Sequence, residues 1–397
     1  MKKICFVIQR YGDEVNGGAE TLCKQLAERM TDRYDVSVLT TKAIDYMTWK
    51  DEYTADEETI NGVKIRRFSV NKKRNIQIFN VINWVFLHRI LPADLEDRWL
   101  IEQGPYVTEL IDYIREHKDE YNAFIFLTYL YYPIVKGVEE VADKAIVLPL
   151  AHDEPFLKMK IFDSIFLKPK AFLFETDEER ELVRRKYQNY NIPYRLGGAG
   201  VDVPERVSGE DFKKKYGLDN YIIYAGRIDE GKNCQELFDF FLKYKKQHKD
   251  DLKLVLIGKP IIDIPKSDDI VSLGFVSEQD KFDGIAGSKF LVLPSKFESL
   301  SIVVLEAFSL GIPVLVNGLC EVLKGHCEKC RGGFYYTNYY GFESKMLQLL
   351  RNPELRDEMG KKGRKYVNTR FRWSIICGKL AELIEYVDTD VLDGEVE

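Results

Sequence analysis

Two glutamates, Glu298 and Glu306, interrupt the otherwise apolar stretch FESLSIVVLEAF. If the stretch is helical, their spacing separates the two carboxylates by ~12 Å along the axis and by ~80° around it. Carboxylates that far apart cannot share a proton or chelate one ion, which excludes an acid–base pair and a metal clamp. They can instead contact groups at two ends of one elongated ligand.

The segment between the two glutamates predicts an anion site. Residues 299–302 stand at the start of a helix predicted over residues 301–309. The first N–H groups of a helix lack intrahelical partners, and the helix dipole favours negative charge there. A carboxylate on each side of an anion site matches a nucleoside-diphosphate sugar, with its ribose, diphosphate and hexose. The alternative is that Glu298 is a solvated loop residue and that Glu306 caps a neighbouring segment.

A second motif, YAGRIDEGKN, follows the predicted strand 221–225. It places Arg227 and Lys232 on one loop, together with Gly226 and Gly231. Two cations on a flexible loop suit a diphosphate whose charge increases as it leaves. A surface turn with incidental charges is the alternative, and we favour function because the loop falls in the same half of the chain as the glutamates.

Two weaker signals lie in the first half of the chain. NGGAE contains Gly17 and Gly18, and adjacent glycines let a ligand approach the backbone, although a plain tight turn fits equally well. NGGAE lacks the G-x-G-x-x-G fingerprint, and GGAGVDV has Val203 at the last glycine position, which disfavours an NAD dehydrogenase. His152, in LPLAHDEP, is the histidine that directly follows a predicted strand, where it could meet a bound sugar.

A cysteine-rich segment, CEVLKGHCEKC, raises the possibility of zinc. It contains Cys320, His326, Cys327 and Cys330, but their spacing lacks the separated pairs of a compact zinc site. No D-x-D motif follows a predicted strand, since DTD lies in the C-terminal tail. We therefore expect no metal and no cofactor, with the nucleotide-sugar acting as a substrate.

Residues 64–74 contain six basic residues and no acidic one, and an apolar, aromatic stretch follows to residue 91. Together they could lie on an anionic membrane surface beside a lipid-linked acceptor. A buried strand and helix with basic flanks explains the same pattern. Both interpretations stay open.

The composition describes an ordinary globular chain of two domains. The chain has 397 residues, a net charge of −6 and seven cysteines. The chain is longer than the usual length of a domain with one hydrophobic core, and its net negative charge argues against nucleic acid as a partner. An odd number of cysteines fits a reducing cytoplasm better than a set of disulfides. The apolar run 4–8 is too short for a signal peptide, and no run approaches the ~20 residues that cross a bilayer.

Short apolar runs alternate with helical patterns, which is typical of parallel βαβ units. The predicted strands are residues 4–8, 35–40, 63–70, 123–128, 145–150 and 171–175, then 221–225, 253–257, 270–275, 290–293 and 313–316. We predict two tandem Rossmann-like, doubly wound parallel-sheet domains that face each other across a cleft. The first spans 1–203, the second spans 204–370, and a C-terminal helix with an acidic tail, 371–397, returns to the first.

The motifs NGGAE, AHDEP, AGRIDEGKN, PSKFESLSIVVLEAFSLGIPVL and FRW…LAELIEYV stand in the order found in a known family. The chain resembles, over nearly its whole length, the retaining nucleotide-sugar glycosyltransferases of family four (glycosyl transferases group 1), which have the GT-B fold. The E-x7-E motif is the specific signal. Many members have glycine and phenylalanine after the first glutamate, where this chain has Ser299 and Leu300.

The resemblance implies a role for each matching residue. The first glutamate would hold sugar hydroxyls and the second the ribose, while the two loop cations and nearby N–H groups would neutralise the diphosphate. The histidine would contact the transferred sugar, and the glycine pair would lie near the diphosphate or the acceptor. The implied catalytic residues are His152, Arg227, Lys232 and Glu298; the implied donor-binding residues are Gly17, Gly18, Gly226, Ser299, Leu300, Ser301, Ile302 and Glu306.

The resemblance also implies a function. A metal-independent, retaining hexosyltransferase would use a UDP- or GDP-linked sugar and a glycan or lipid-linked acceptor, in surface polysaccharide biosynthesis. It would act in the cytoplasm or at the inner face of the membrane. The alternatives are a GT-B nucleotide-sugar epimerase or phosphorylase, and a non-catalytic nucleotide-sugar-binding protein.

Overall fold

The computed structural model describes residues 1–88 and 93–389. It divides into two compact units, one formed by Met1–Gly198 together with the segment from Cys377, the other by Ala199–Ile376. The first unit thus ends a few residues before the predicted boundary at 203. The returning segment begins at Cys377, whereas the sequence predicts residue 371.

The strands described in the first unit form one sheet in the order β3-β4-β2-β1-β5-β6-β7-β8. They are β1 (Lys3–Val7), β2 (Asp35–Thr41), β3 (Glu57–Ile60), β4 (Val63–Phe68), β5 (Ala123–Leu127), β6 (Ala145–Leu148), β7 (Ala171–Phe174) and β8 (Tyr194–Leu196). Neighbouring strands are parallel except β3 and β4, which are antiparallel. The strands β5, β6 and β7 are buried along their whole length, as expected of a parallel sheet covered on both faces.

The helices of the first unit cover this sheet. They are α1 (Gly18–Met30), α2 (Ile76–His88), α3 (Ala93–Gln103), α4 (Thr108–His117), α5 (Tyr132–Glu140), α6 (Asp163–Leu167) and α7 (Asp177–Tyr187). Leu22, Leu26 and Met30 of α1 are buried. They are spaced four residues apart in the sequence, which places them on one side of the helix, and that side packs against the rest of the unit.

The strands described in the second unit form a parallel sheet in the order β11-β10-β9-β12-β13-β14. They are β9 (Tyr221–Ala225), β10 (Lys253–Ile257), β11 (Ile270–Gly274), β12 (Leu291–Leu293), β13 (Val314–Asn317) and β14 (Gly333–Tyr336). The helices are α8 (Gly209–Tyr216), α9 (Cys234–Gln247), α10 (Glu278–Gly287), α11 (Ile302–Ser309), α12 (Glu321–Cys330), α13 (Tyr339–Arg351), α14 (Pro353–Arg370) and α15 (Trp373–Thr389), the last continuing into the first unit. The prediction of two parallel-sheet α/β domains is confirmed.

The strand order reverses direction once in each sheet, between β1 and β5 and between β9 and β12. Ligands of open parallel sheets bind outside the carboxyl ends of the strands at such a reversal. In the second unit, the loops that leave this point follow β9 and β12. These two loops carry the cationic motif and the first glutamate that the sequence singles out.

The basic segment 64–74 folds as β4 and the approach to α2, and most of its charges are paired. Lys64 lies 2.7 Å from Asp35, and Lys72 forms an ion pair with the buried Glu102. The remaining pairs are Arg66 with Glu57 and Arg67 with Glu58, while Arg74 donates to the Gln103 carbonyl. These contacts support the interpretation as a strand and helix with basic flanks.

The α2 helix nevertheless exposes Val81, Trp84 and Leu87 to solvent. Its apolar residues are thus only partly used in packing the first unit. No helix in the part of the chain that the structure describes combines the length and the apolar character needed to cross a bilayer.

Candidate functional site

The loop after β9 is held in shape by its own backbone and side chains. The buried Tyr224 hydroxyl donates to the Arg227 carbonyl over 2.5 Å, and Asp229 Oδ1 accepts the Lys232 N–H over 2.7 Å. Gly226 has a φ of 152°, which side chains with a Cβ rarely adopt. Arg227 is 70% exposed, and its guanidinium lies 3.4 Å from Asp229. The loop therefore presents one cation to solvent on a fixed backbone.

The loop after β12 is tied to its neighbours through one carbonyl. The Pro294 carbonyl accepts from the side-chain amides of Asn233 and Asn317, each over 3.1 Å. Asn233 precedes α9 and has a left-handed backbone conformation, with a φ of 58°. These bonds fix the two loops at the sheet reversal relative to each other. Neither asparagine was singled out from the sequence, although an asparagine directly after the loop lysine is a recognisable left-handed turn signal.

Lys232 and Glu298 meet between these loops. Lys232 Nζ lies 2.8 Å from Glu298 Oε1, and the side chains are 28% and 11% exposed. A charge-assisted hydrogen bond of this length fixes the carboxylate, and the partial exposure leaves both groups within reach of a ligand. The structure thus brings together two of the predicted catalytic residues from motifs far apart in the chain.

The start of α11 lies between the two glutamates, as the sequence predicts. The helix begins at Ile302, one residue later than predicted, because Ser301 is its N-cap in a left-handed conformation with a φ of 68°. Ser301 Oγ and Ser295 Oγ are buried and have no hydrogen-bond partner among the described residues. Buried hydroxyls without partners are costly, so Ser301 and Ser295 are strained or functional positions rather than ordinary packing residues. Ser299 beside them is half-buried.

A buried histidine, His326, contacts the backbone of the loop between β12 and α11. His326 Nε2 lies 2.8 Å from the Leu300 carbonyl, and His326 Nδ1 lies 3.1 Å from the Tyr366 hydroxyl. A carbonyl can only accept, so Nε2 carries the proton and Nδ1 accepts from the tyrosine. Burial lowers the pKa of His326 to about 4, which keeps the ring neutral.

The cysteine-rich segment folds as α12 and its N-cap, Cys320. Cys330 Sγ accepts from the Gly332 N–H over 3.1 Å, and Cys327 Sγ is 3.7 Å from the Phe334 carbonyl. Within residues 1–88 and 93–389, no group of three or more histidine, cysteine, aspartate or glutamate side chains is arranged to hold an ion. The zinc alternative for Cys320, His326, Cys327 and Cys330 is therefore not supported.

Glu306 lies in the second turn of α11 and is buried. Its Oε1 accepts from Lys281 Nζ over 2.8 Å. Burial raises the pKa of Glu306, and the neighbouring ammonium group opposes that shift. The second predicted glutamate thus sits in its own charged pocket, with a lysine that the sequence analysis did not identify.

In the first unit, the NGGAE loop is organised by a buried ion pair. Glu20 Oε1 accepts from Arg10 Nε and from Gln9 Nε2, each over 2.9 Å. A Cβ on Gly17 would stand 2.1 Å from Glu20 Oε2, whereas one on Gly18 would meet nothing within 4 Å. Gly17 is therefore required by packing. Arg10 was missed, although a basic residue in the loop that follows the first strand was a usable signal.

His152 is partly exposed on the loop after β6. Its Nε2 lies 3.6 Å from Glu154 Oε2, and Tyr129 donates to the other oxygen of Glu154 over 2.5 Å. The adjoining Ala151 N–H donates to the buried Glu179 over 2.7 Å. Burial, together with the charge of Glu175, raises the pKa of Glu179. This buried carboxyl beside His152 was not singled out from the sequence.

Comparisons with known proteins agree with this fold. Residues 209–366 match the family model described as glycosyl transferases group 1. An alpha-D-kanosaminyltransferase of Streptomyces kanamyceticus is 26% identical over 215 residues, covering 48% of this chain and 54% of that protein. An N-acetyl-alpha-D-glucosaminyl L-malate synthase of Bacillus anthracis is 28% identical over 200 residues, covering 46% and 51%. The chain spans about half the length of the curated relatives that it matches.

Solved structures resemble nearly the whole chain. Sucrose-phosphate synthase from Thermosynechococcus elongatus has a TM-score of 0.70 at 14% identity, covering 98% of this chain and 100% of that one. Anabaena HepE, in complex with UDP and glucose, has a TM-score of 0.65 at 12% identity, covering 97% and 100%. The fold is therefore GT-B. The family model that residues 209–366 match, glycosyl transferases group 1, is the family that the motifs of the chain resemble.

Proposed function

We propose that this protein is a retaining glycosyltransferase. It transfers a hexosyl or related unit from a nucleoside-diphosphate sugar, linked to UDP or GDP, to a glycan or lipid-linked acceptor in surface polysaccharide biosynthesis. The observation that carries the proposal is the Lys232–Glu298 pair at 2.8 Å, close in sequence to the start of α11, whose N-cap Ser301 has a buried hydroxyl without a partner among the described residues. The relatives named as a kanosaminyltransferase and an N-acetyl-glucosaminyl L-malate synthase, and the similar structure in complex with UDP and glucose, support the same class of donor.

The proposed chemistry depends on charge stabilisation. The acceptor hydroxyl oxygen bonds to the anomeric carbon while the bond from that carbon to the diphosphate breaks. The diphosphate leaves with the electron pair, and the hydroxyl proton passes to one of its oxygens. Attack on the face that the diphosphate leaves retains the anomeric configuration. Arg227, Lys232 and the N–H groups at the start of α11 offset the charge that develops, and Glu298 orients the sugar hydroxyls.

The first unit serves the acceptor side in this proposal. His152 contacts the transferred sugar, and Gly17 with Gly18 borders the diphosphate or the acceptor. The reaction needs no metal, since Arg227 and Lys232 supply the cations that a bridging metal would otherwise supply. The protein works in the cytoplasm, with the exposed side chains Val81, Trp84 and Leu87 of α2 offering a peripheral contact at the inner face of the membrane.

The test begins with thermal unfolding against a panel of UDP- and GDP-linked sugars. A sugar that raises the melting temperature is then incubated with the protein, with and without acceptor oligosaccharides and with a chelator present. Transfer that requires an acceptor and survives chelation is the expected result. Epimerisation without acceptor would overturn transfer, and transfer that persists unchanged in Arg227→Ala, Lys232→Ala and Glu298→Ala would overturn the site.

A further inference from the structure

The second glutamate of the motif is held by a residue outside the motif. Lys281, on α10, places its Nζ 2.8 Å from Glu306 Oε1 on α11 and 2.8 Å from Glu278 Oε2. The Lys281 and Glu306 side chains are 19% and 10% exposed, whereas the Glu278 side chain is 77% exposed. The lysine therefore spans from a surface carboxylate to a buried one.

In the described part of the chain, the elements that pack against α11 offer Glu306 no bonded cation other than Lys281. The helix packs against α10, α14, β12 and β13. The α14 helix contributes Arg364, which donates to the carbonyls of Ser309 and Leu310 at the far end of α11. On α10, Asp283 accepts from Ser208 N–H, and the facing residues of β12 are apolar. Among the described residues, Lys281 is the cation bonded to Glu306.

The ionisation of Glu306 matters for what it can bind. A ribose offers two hydroxyl donors, and an ionised carboxylate accepts at both oxygens, whereas a protonated one is itself a donor. Burial raises the pKa of Glu306, which favours the protonated form. The ammonium group of Lys281 opposes that shift. It also bonds to Oε1 of Glu306, and this bond fixes the orientation of the whole carboxylate, including Oε2.

We propose that Lys281 is a positioning residue for nucleoside recognition, which holds Glu306 ionised and oriented so that its carboxylate accepts the ribose hydroxyls of a nucleoside diphosphate. The inference rests on the proposed function and deepens it. Lys281 lies in α10, outside the E-x7-E stretch, so this part of the recognition does not follow from that motif.

The test is titration calorimetry of the full chain with UDP, GDP and 2′,3′-dideoxy-UDP between pH 6 and pH 9. In Lys281→Met we expect weaker binding of the ribose nucleotides at the acidic end of this range, recovering as the pH rises, because loss of the ammonium group raises the pKa of Glu306 further. Lys281→Arg should restore the wild-type profile. The dideoxy nucleotide, which lacks the hydroxyls, should bind wild type and Lys281→Met equally.

A matched control is Lys215→Met. Lys215 lies on α8 and forms an ion pair, 2.7 Å long, with Asp280 on α10, the helix that carries Lys281, so this variant removes an ion pair of α10 without touching Glu306. Its binding profile should equal that of wild type. If Lys281→Met does not fold, Lys281→Gln replaces it. Equal losses for UDP and its dideoxy analogue, or a pH-independent loss, would overturn the inference and leave the proposed function standing. Wild-type protein that binds neither UDP nor GDP would overturn the proposed function itself.

Discussion

Lys232 and Glu298 stabilise each other's charge and hold each other in position. A lysine 2.8 Å from a partly buried carboxylate fixes its position, so a ligand meets a hydroxyl acceptor and a cation already in place. Preorganised charges lower a barrier because they need not reorient as charge develops. The pair therefore acts as one unit, and removal of either member alters both.

Substitution of Lys232 tests this unit directly. In Lys232→Ala, the leaving diphosphate loses a cation and Glu298 loses its partner, so we expect kcat/KM for the donor to fall by ~10²–10³. Steady-state kinetics with the donor identified by thermal unfolding measure it. Lys243→Ala, which removes a cation packed on the Tyr339 ring, is the control and should keep wild-type rates. A similar loss in both variants would contradict a specific role.

His326 couples the stability of the second unit to pH. Its pKa of about 4 lies below the usual value near 6.5, so the unfolded chain binds more protons in that interval. The contribution is present above about pH 6.5 and is lost as the pH falls toward about 4, a change of ~3 kcal/mol. Urea unfolding at pH 7 and pH 4.5 measures it. His326→Gln should lose less stability over that interval than wild type, and an equal loss would contradict this assignment.

At the scale of elements, the carboxyl-end loops carry the site because a few bonds hold them still. Pro294 accepts two amide donors, and the buried Glu179 plays the corresponding part beside His152. Glu179 also accepts the Glu175 N–H over 2.6 Å. One carboxylate thus satisfies backbone donors at the ends of two neighbouring strands.

Removal of that carboxylate should loosen the loop. Glu179→Ala leaves the N–H groups of Ala151 and Glu175 without their acceptor, and each unsatisfied donor costs ~1–3 kcal/mol. We expect the free energy of unfolding to fall by ~2–6 kcal/mol, measured in denaturant. Hydrogen exchange should accelerate at Ala151 and Glu175. Glu181→Ala, on the exposed side of the same helix, serves as the comparison, and unchanged exchange at both amides in Glu179→Ala would argue against this role.

The sequence predicted the elements whose burial is continuous. The strands β9 and β10 agree with prediction at both ends, since β9 is an unbroken apolar run and β10 is apolar and buried after Lys253. The strand β3 (EETI) was missed because its residues are half-exposed and polar, and β14 was missed because it opens on glycine. Glu298, Lys232 and Arg227 were singled out as candidate site residues from motif spacing. Lys281, Glu179 and Arg10 were not, because their roles depend on contacts between elements far apart in sequence.

At the scale of the whole molecule, the boundary between the units follows contacts near Trp373. A Cβ on Gly200 would stand 2.5 Å from that indole, and Trp373 Nε1 donates to Asp202 over 3.0 Å. The Val201 N–H donates to the Phe371 carbonyl. These bonds place residues 199–202 with the second unit, which explains why the first unit ends before the predicted position.

The segment from Cys377 belongs to the first unit by packing and by charge. Lys2 forms ion pairs with Glu385 and Asp388, and Lys379 donates to the Leu196 carbonyl over 2.5 Å. Leu380, Leu383 and Ile384 of the same helix are fully buried. The first unit thus takes part of its core from the far end of the chain.

A chain that ends at Ile376 should therefore have a weakened first unit. Each buried leucine or isoleucine contributes ~1.5–3 kcal/mol, so the loss of three approaches the whole stability of a small domain. Limited proteolysis should cut residues 1–198 faster than in wild type. Binding of the nucleotide proposed as donor should persist, because Lys232, Glu298 and Lys281 all lie in Ala199–Ile376. A chain that ends at Thr389 keeps α15 and should behave as wild type. Unchanged proteolysis after truncation at Ile376 would show that the first unit folds without its C-terminal helix.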